Sequence, residues 1–314
     1  MNRILVIRGG AIGDFILTLP ALRALRDAYP NARIEILGYE HIAALAENRF
    51  YVQHVRSIES ATLSRFFAEN AELPAELGKH FAQFDLIISY LYDPDLIFEK
   101  NLRRCGAREV VRGPAKIDNR SHAACQLAQP IADLGLPISD FAAKLYPSSE
   151  DRHRAKGFVA GLATPIVALH PGSGSERKNW SLQNWIDLGN DFLENSAGSL
   201  LIVSGEADED QTRQLESVWQ HSRIRFAKRL PLPDLAAVLE DAIFLGHDSG
   251  ISHVAAAAGA SCILLFGPTD PAVWAPLNKN TRVIRAPNKD LRGRDVDLVR
   301  AAVNQELIRI GINT

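Results

Sequence analysis

AIFLGHDSGISHVAAAAGASCILLFGPTDP, residues 242–271, reads as strand, turn, helix, strand and loop. Residues 242–245 form a short apolar run, as expected of a strand buried in a parallel sheet. Gly246-His247-Asp248-Ser249-Gly250 breaks it. Residues 251–258 are Ala-rich and uncharged, a pattern that predicts a helix packed on both sides, and 261–266 are a second apolar strand. Two prolines and a glycine in Gly267-Pro268-Thr269-Asp270-Pro271 end that strand in a loop. In open α/β sheets ligands bind beyond the carboxyl ends of the strands. Asp248, Ser249 and Gly250 fall there, at the start of a helix whose free N–H groups attract phosphate. The same positions are also where Asp or Ser caps a helix, so this stretch alone leaves both readings open.

The alternation extends outward in both directions. Residues 3–8 predict a strand, followed by Gly9-Gly10-Ala11-Ile12-Gly13-Asp14 and a helix through Tyr29, which Pro20 is expected to kink or split. Strands are predicted over 33–37, 52–58, 86–89 and 109–112, and again over 166–170, 199–204, 224–227, 242–245, 261–266 and 283–285. Helices lie between them, and an amphipathic helix over 295–310 closes the chain. Ser181 is placed to cap a helix over 182–195, with Trp180 and Trp185 at the two positions of a hydrophobic staple. The pattern pauses over 136–149, so the reading is two doubly wound α/β domains, 1–148 and 149–314, whose strand ends face each other across a cleft. The terminal helix could return to pack on the first.

Composition narrows the class. The chain has 314 residues, two domains' worth at roughly 150 each. A net charge of −2 speaks against a nucleic-acid binder. No run of ~18 apolar residues is present to span a membrane, and the first residues run straight into a strand without the apolar core of a signal peptide. Cys105, Cys125 and Cys262 are scattered and make no metal pattern, which suits a reducing cytoplasm.

Several residues could carry chemistry, each beside a plainer role. The turn at Gly9–Gly13 fails as a dinucleotide fingerprint, because placing Gly10 and Gly13 at the second and third glycines puts the first on Arg8. Asp14 is a general base or a helix-terminal carboxylate. His170-Pro171-Gly172-Ser173-Gly174-Ser175, with Lys178 shortly after, suits a diphosphate, or Lys178 is a solvated loop lysine. Glu206 suits a ribose diol, or belongs with Asp208, Glu209 and Asp210 to an acidic helix start. His253 is a ligand residue or a packing histidine. Basic residues crowd between Lys100 and Arg120, and Lys116 and Arg120 are the best placed to meet an anionic acceptor; a solvated face is the alternative.

Taken together, RGGAIGDFILTLPALRALRDAYP, HPGSGSERKNWSLQNW and GHDSGISHVAAAAGA with GPTDP resemble glycosyltransferase family 9, the ADP-heptose:lipopolysaccharide heptosyltransferase family, over nearly the whole chain. The resemblance implies a GT-B fold and an inverting, metal-independent transfer that uses no cofactor beyond the ADP-sugar. The donor would be held by the C-terminal half and a Kdo or heptose of the lipopolysaccharide inner core by the N-terminal half. It implies Asp14 as base, Lys178 on the diphosphate, phosphate contacts from Ser173 and Gly174, Glu206 on ribose, and Asp248, Ser249, Gly250 and His253 around the sugar and diphosphate. A cytoplasmic enzyme with peripheral inner-membrane contact follows. The loop departs from the family pattern at Asn179, where many members carry a second basic residue, which leaves the donor and acceptor sugars open. A transferase of the same fold using another nucleotide-sugar, a non-hydrolysing nucleotide-sugar epimerase and a non-catalytic nucleotide-sugar-binding protein are the competing readings.

Overall fold

A computed structural model describes residues 1–205, 208–291, 296–309 and 311. The chain divides into two units, Met1–Phe141 and Ala142–Thr314. The first unit runs β1 (Arg3–Arg8), α1 (Ile12–Ala28), β2 (Arg33–Gly38), α2 (Glu40–Ala43), β3 (His54–Ser57), α3 (Ala75–Phe81), β4 (Leu86–Ser89), α4 (Ile97–Arg104), β5 (Glu109–Arg112) and α5 (Ala123–Asp133). Its five strands are parallel in the order β3-β2-β1-β4-β5. β1 is central: Val6 lies opposite Ile36 on one side and Ile88 on the other. With helices on both faces, its apolar run Ile4–Ile7 is buried whichever way a side chain points.

The strand expected over 52–58 covers only His54–Ser57. Val52 forms an isolated bridge with Glu47, and the Gln53 side chain instead accepts from the Ile34 N–H at 2.9 Å. Pro20 does not split α1. The helix runs on from Ile12 to Ala28, and every residue from Phe15 to Leu22 is buried. An interior proline costs about 3 kcal/mol. Burying a single Leu or Ile side chain returns roughly 1.5–3 kcal/mol, so the packing of this helix outweighs its one missing hydrogen bond.

The second unit runs α6 (Ser149–Phe158), β6 (Ile166–His170), α7 (Leu182–Asn195), β7 (Ser199–Ser204), α8 (Glu209–Val218), β8 (Ile224–Lys228), α9 (Leu232–Leu239), β9 (Ile243–His247), α10 (Gly250–Ala258), β10 (Ser261–Phe266), α11 (Pro271–Trp274), β11 (Thr281–Arg285) and α12 (Val296–Arg309). Its six strands are parallel in the order β11-β10-β9-β6-β7-β8. In both sheets the strand order reverses direction beside the first strand, between β1 and β4 and between β6 and β9. A crevice opens beyond the carboxyl ends at such a point.

Local signals explain the boundaries. Ser148 and Asp151 start α6 as a reciprocal capping box, and the Ser181 hydroxyl accepts from the Asn184 N–H at the start of α7. Trp180 and Trp185 meet edge to face at 5.3 Å across that cap. Gly259 ends α10 with a positive φ of 109°, which glycine adopts without strain. The terminal helix, allowed above to return to the N-terminal half, buries Val299, Ala302, Val303 and Leu307 in the core of the second unit with Trp185, Leu188 and Leu265. The expected ends of that helix at 295 and 310 lie outside the described residues.

Candidate functional site

In the second unit the crevice at the strand-order reversal collects the residues singled out from sequence. β6 delivers His170 and the loop after it; β9 delivers His247 and Asp248, and α10 begins at Gly250. Lys178, in a short helical turn of the loop, puts its Nζ 2.7 Å from Asp248 Oδ2. The carboxylate is nearly buried and the lysine about a quarter exposed. One ammonium proton is thereby committed, and a second points to the Asp248 backbone carbonyl at 3.5 Å, which leaves the third for a ligand oxygen. Ser249 caps α10, its Oγ accepting from the Ser252 N–H at 3.3 Å. Capping and ligand binding are therefore compatible, since the remaining N–H groups of the first turn point outward.

The loop itself is held from within. His247 is fully buried and spans it: Nε2 accepts from the Trp180 N–H at 2.8 Å, and Nδ1 donates to the Gly172 carbonyl at 3.4 Å. That pattern requires a neutral ring protonated on Nδ1, and burial drives its pKa down to about 3, the Gly172 bond opposing only in part. In the unfolded chain the same imidazole takes a proton near its ordinary 6.5. Between those values the unfolded state binds more protons, so the unit loses stability as pH falls from about 6.5 toward 3. His247→Gln is expected to flatten that dependence in thermal melts across the same range.

Ser173 is buried, and its hydroxyl lies 2.7 Å from Asn179 Oδ1 and 2.9 Å from the Ser175 carbonyl, so it braces the loop. Asn179, the departure noted above, is thus the partner of Ser173. Space around Gly174 is open, whereas a Cβ at Gly172 would sit 1.6 Å from Asp208 Oδ1. Asp208 is the residue that sequence reasoning passed over. It is buried, with Oδ2 3.2 Å from His170 Nε2 and accepting from the Gly205 N–H at 3.3 Å. Burial pushes its carboxyl up, but the bonds from His170 and Gly205 outweigh that and hold it below the usual range. His253 lies one turn into α10, buried at 5 % exposure. Glu206 lies outside the described residues; nearby Ser204, Gly205, Glu209, Thr212, Lys228 and Arg229 help line a pocket of about 290 Å³ at the ends of β7 and β8.

In the first unit Asp14 occupies the equivalent strand end. Its Oδ2 accepts from the Ala11 N–H at 2.9 Å and its Oδ1 lies 3.4 Å from Arg8 Nη2. A third of the side chain is exposed, into a pocket of about 440 Å³ lined by Arg8, Gly10, Tyr39, Glu59, Tyr90 and Tyr92 among others. Gly10 has φ +98°, and a Cβ there would come within 2.8 Å of Asp14 Oδ2. The glycine turn thus serves close approach to the carboxylate. Arg8 is buried, donates to Thr18 Oγ1 at 3.1 Å and lies 5.6 Å from the Tyr90 ring centre.

The basic crowd is largely paired. Arg103 and Arg112 meet Glu99, Arg108 meets Asp85, and Arg120, highly exposed, meets Asp118 at 2.6 Å. Lys116 sets its ammonium 4.8 Å from the ring centre of Tyr92, at the rim of the Asp14 pocket. Among the described residues no three His, Cys, Asp or Glu side chains gather as a metal-ligand set.

With this geometry in hand, known proteins are informative. The model of "Glycosyltransferase family 9 (heptosyltransferase)" matches residues 116–297. The chain is 24% identical to lipopolysaccharide heptosyltransferase 3 of Escherichia coli over 318 residues, covering 90% of each. Among solved structures, a family 9 glycosyl transferase from Veillonella parvula superposes with a TM-score of 0.81 at 18% identity, covering 98% of each chain. The E. coli heptosyltransferase WaaC with ADP-2-deoxy-2-fluoro heptose superposes with a TM-score of 0.69 at 20% identity, covering 97% of this chain and 99% of that one.

Proposed function

The chain belongs to glycosyltransferase family 9 and is a glycosyltransferase, and from that premise we propose that it moves a heptose from ADP-heptose to a Kdo or heptose of the lipopolysaccharide inner core, with inversion and without a metal. The observation that carries this reading is the Lys178–Asp248 pair set beside the amino end of α10 at the strand-order reversal of the second sheet. A cation and free N–H groups converge there, as a diphosphate leaving group requires. On this reading the second unit holds the donor and the first holds the acceptor. Lys178 and the first turn of α10 at Ser249 and Gly250 take the diphosphate, Gly174 lets the loop backbone approach it, and Asp248 fixes the lysine. Glu206 takes the ribose hydroxyls, and His253 supports the turn beneath the sugar.

Direct displacement at the anomeric carbon needs a base on one face and leaving-group stabilisation on the other. Asp14 supplies the base, accepting the proton of the acceptor hydroxyl as the new bond forms. Lys116 and Arg120 meet anionic groups of the acceptor. The charge of the departing ADP is met by Lys178 and the α10 dipole, so no metal ion is needed and no cofactor other than the nucleotide sugar takes part. No helix among the described residues is long and apolar enough to cross a membrane; we place the enzyme at the cytoplasmic face of the inner membrane, meeting its acceptor peripherally.

The test is thermal stabilisation by ADP, UDP, GDP and NAD at equal concentration. A ligand present at 100 times its dissociation constant adds about 2.7 kcal/mol, so selective stabilisation by ADP, followed by turnover of ADP-heptose, is the expected result. A preference for UDP or GDP would keep the transferase and overturn the heptose donor.

A further inference from the structure

His170 is 3 % exposed, and both its ring nitrogens are engaged: Nε2 with Asp208 Oδ2 at 3.2 Å and Nδ1 with Ser249 Oγ at 3.3 Å. Asp208, Ser249 and His170 come from three separate segments. The carboxylate accepts only, so Nε2 carries a proton whatever the charge of the ring. The state of Nδ1 then sets the direction of the Ser249 hydroxyl. With Nδ1 bare, the Ser249 proton turns inward to it, or to Ser252 Oγ at 3.1 Å, whose own proton is given to the His247 carbonyl. Only lone pairs are then left for a ligand oxygen. With Nδ1 protonated, the imidazolium donates to Ser249 Oγ, and the hydroxyl proton is left with Ser252 Oγ or an outward ligand oxygen, of which an anionic oxygen is the stronger acceptor.

We propose that His170 and Asp208 are a positioning dyad that turns the Ser249 hydroxyl toward the leaving diphosphate, so that nucleotide binding draws one proton from solvent onto His170 Nδ1. This rests on the donor-site reading above. Asp208 stabilises the imidazolium at contact distance. His247, the neighbouring imidazole, is neutral and the Phe244 ring stacks at 6.5 Å. The cation and the Lys178 ammonium together meet the charge that develops as the glycosidic bond breaks.

The test is calorimetric titration of the intact protein with ADP in buffers of different ionisation enthalpy, for the wild type, His170→Gln and Ser249→Ala. ADP's own proton exchange is common to all three. The expected result is extra proton uptake in the wild type, lost in both variants, and a wild-type affinity that falls up to about tenfold per pH unit as pH rises while that of His170→Gln falls less. Equal uptake in wild type and Ser249→Ala, with ADP still bound, overturns the dyad even if His170→Gln does not fold. Lys178→Met keeps the two failures apart: if ADP binds the wild type and this variant equally, the donor-site reading itself is wrong.

Discussion

Asp14→Asn should lower kcat by about a thousandfold, within the 10²–10⁴ range of positioned general-base catalysis, while ADP binds as before. The amide preserves part of what the carboxylate does for the fold: its oxygen still accepts from the Ala11 N–H that Asp14 Oδ2 holds at 2.9 Å, while the ion pair with Arg8 is lost, so a melt of the variant accompanies the kinetics. It cannot take a proton from the acceptor hydroxyl. The conservative variant therefore separates chemistry from structure, which Asp14→Ala does less well: removing a side chain that bonds back to the first turn of α1 costs about 0.5–2 kcal/mol by itself. Arg8 sharpens the expectation. Its guanidinium is buried and 3.4 Å from Asp14 Oδ1, so it orients the carboxylate and leaves Oδ1 and Oδ2 unequal. Near-wild-type turnover of Asp14→Asn with ADP-heptose would remove Asp14 from the base role and leave it as a structural link between α1 and Arg8.

The sheets were legible because β-α alternation, glycine-rich strand ends and apolar runs are local signals. Most of the strands begin and end within a residue or two of the pattern. The crevice residues were legible by type, because Gly10, Gly172 and the Asp248-Ser249-Gly250 turn mark places where backbone must come close to something. What each one touches was not legible. Lys178 and Asp248 are 70 residues apart, and His170 and Asp208 are 38 apart. Periodicity says nothing about which turns meet across a sheet. Asp208 was hidden by its neighbours, since an acidic run before a helix ordinarily faces water, and here only the first member of the described run turns inward beneath Gly172. The basic crowd was legible as a cluster but its partners were not: Asp85, Glu99 and Asp118 pair with several of its arginines at short range. Pro20 does not split α1 because the breaker rule is local and the burial that overrides it is not.

Lys178→Met should weaken ADP binding and lower kcat, each by about 10²-fold, the size expected when one preorganised charge is removed from a developing anion. Methionine keeps most of the stem and removes only the ammonium. The complication is Asp248, whose side chain is 90 % buried and loses its 2.7 Å partner. A nearly buried carboxylate left unpaired costs about 1–3 kcal/mol of stability or more, so the single variant should also melt earlier. Pairing it with Asp248→Asn resolves the two effects. The double variant removes the stranded charge and should recover most of the lost melting temperature, because a neutral amide is far cheaper to bury than an ion. It should not recover ADP affinity or turnover, because no cation returns to the crevice. Wild-type affinity should also fall with added salt more steeply than that of Lys178→Met, as expected when an ammonium meets a diphosphate. Recovery of activity along with stability in the double variant would mean that Lys178 serves only to neutralise Asp248, and the diphosphate would then be held by the first turn of α10 alone.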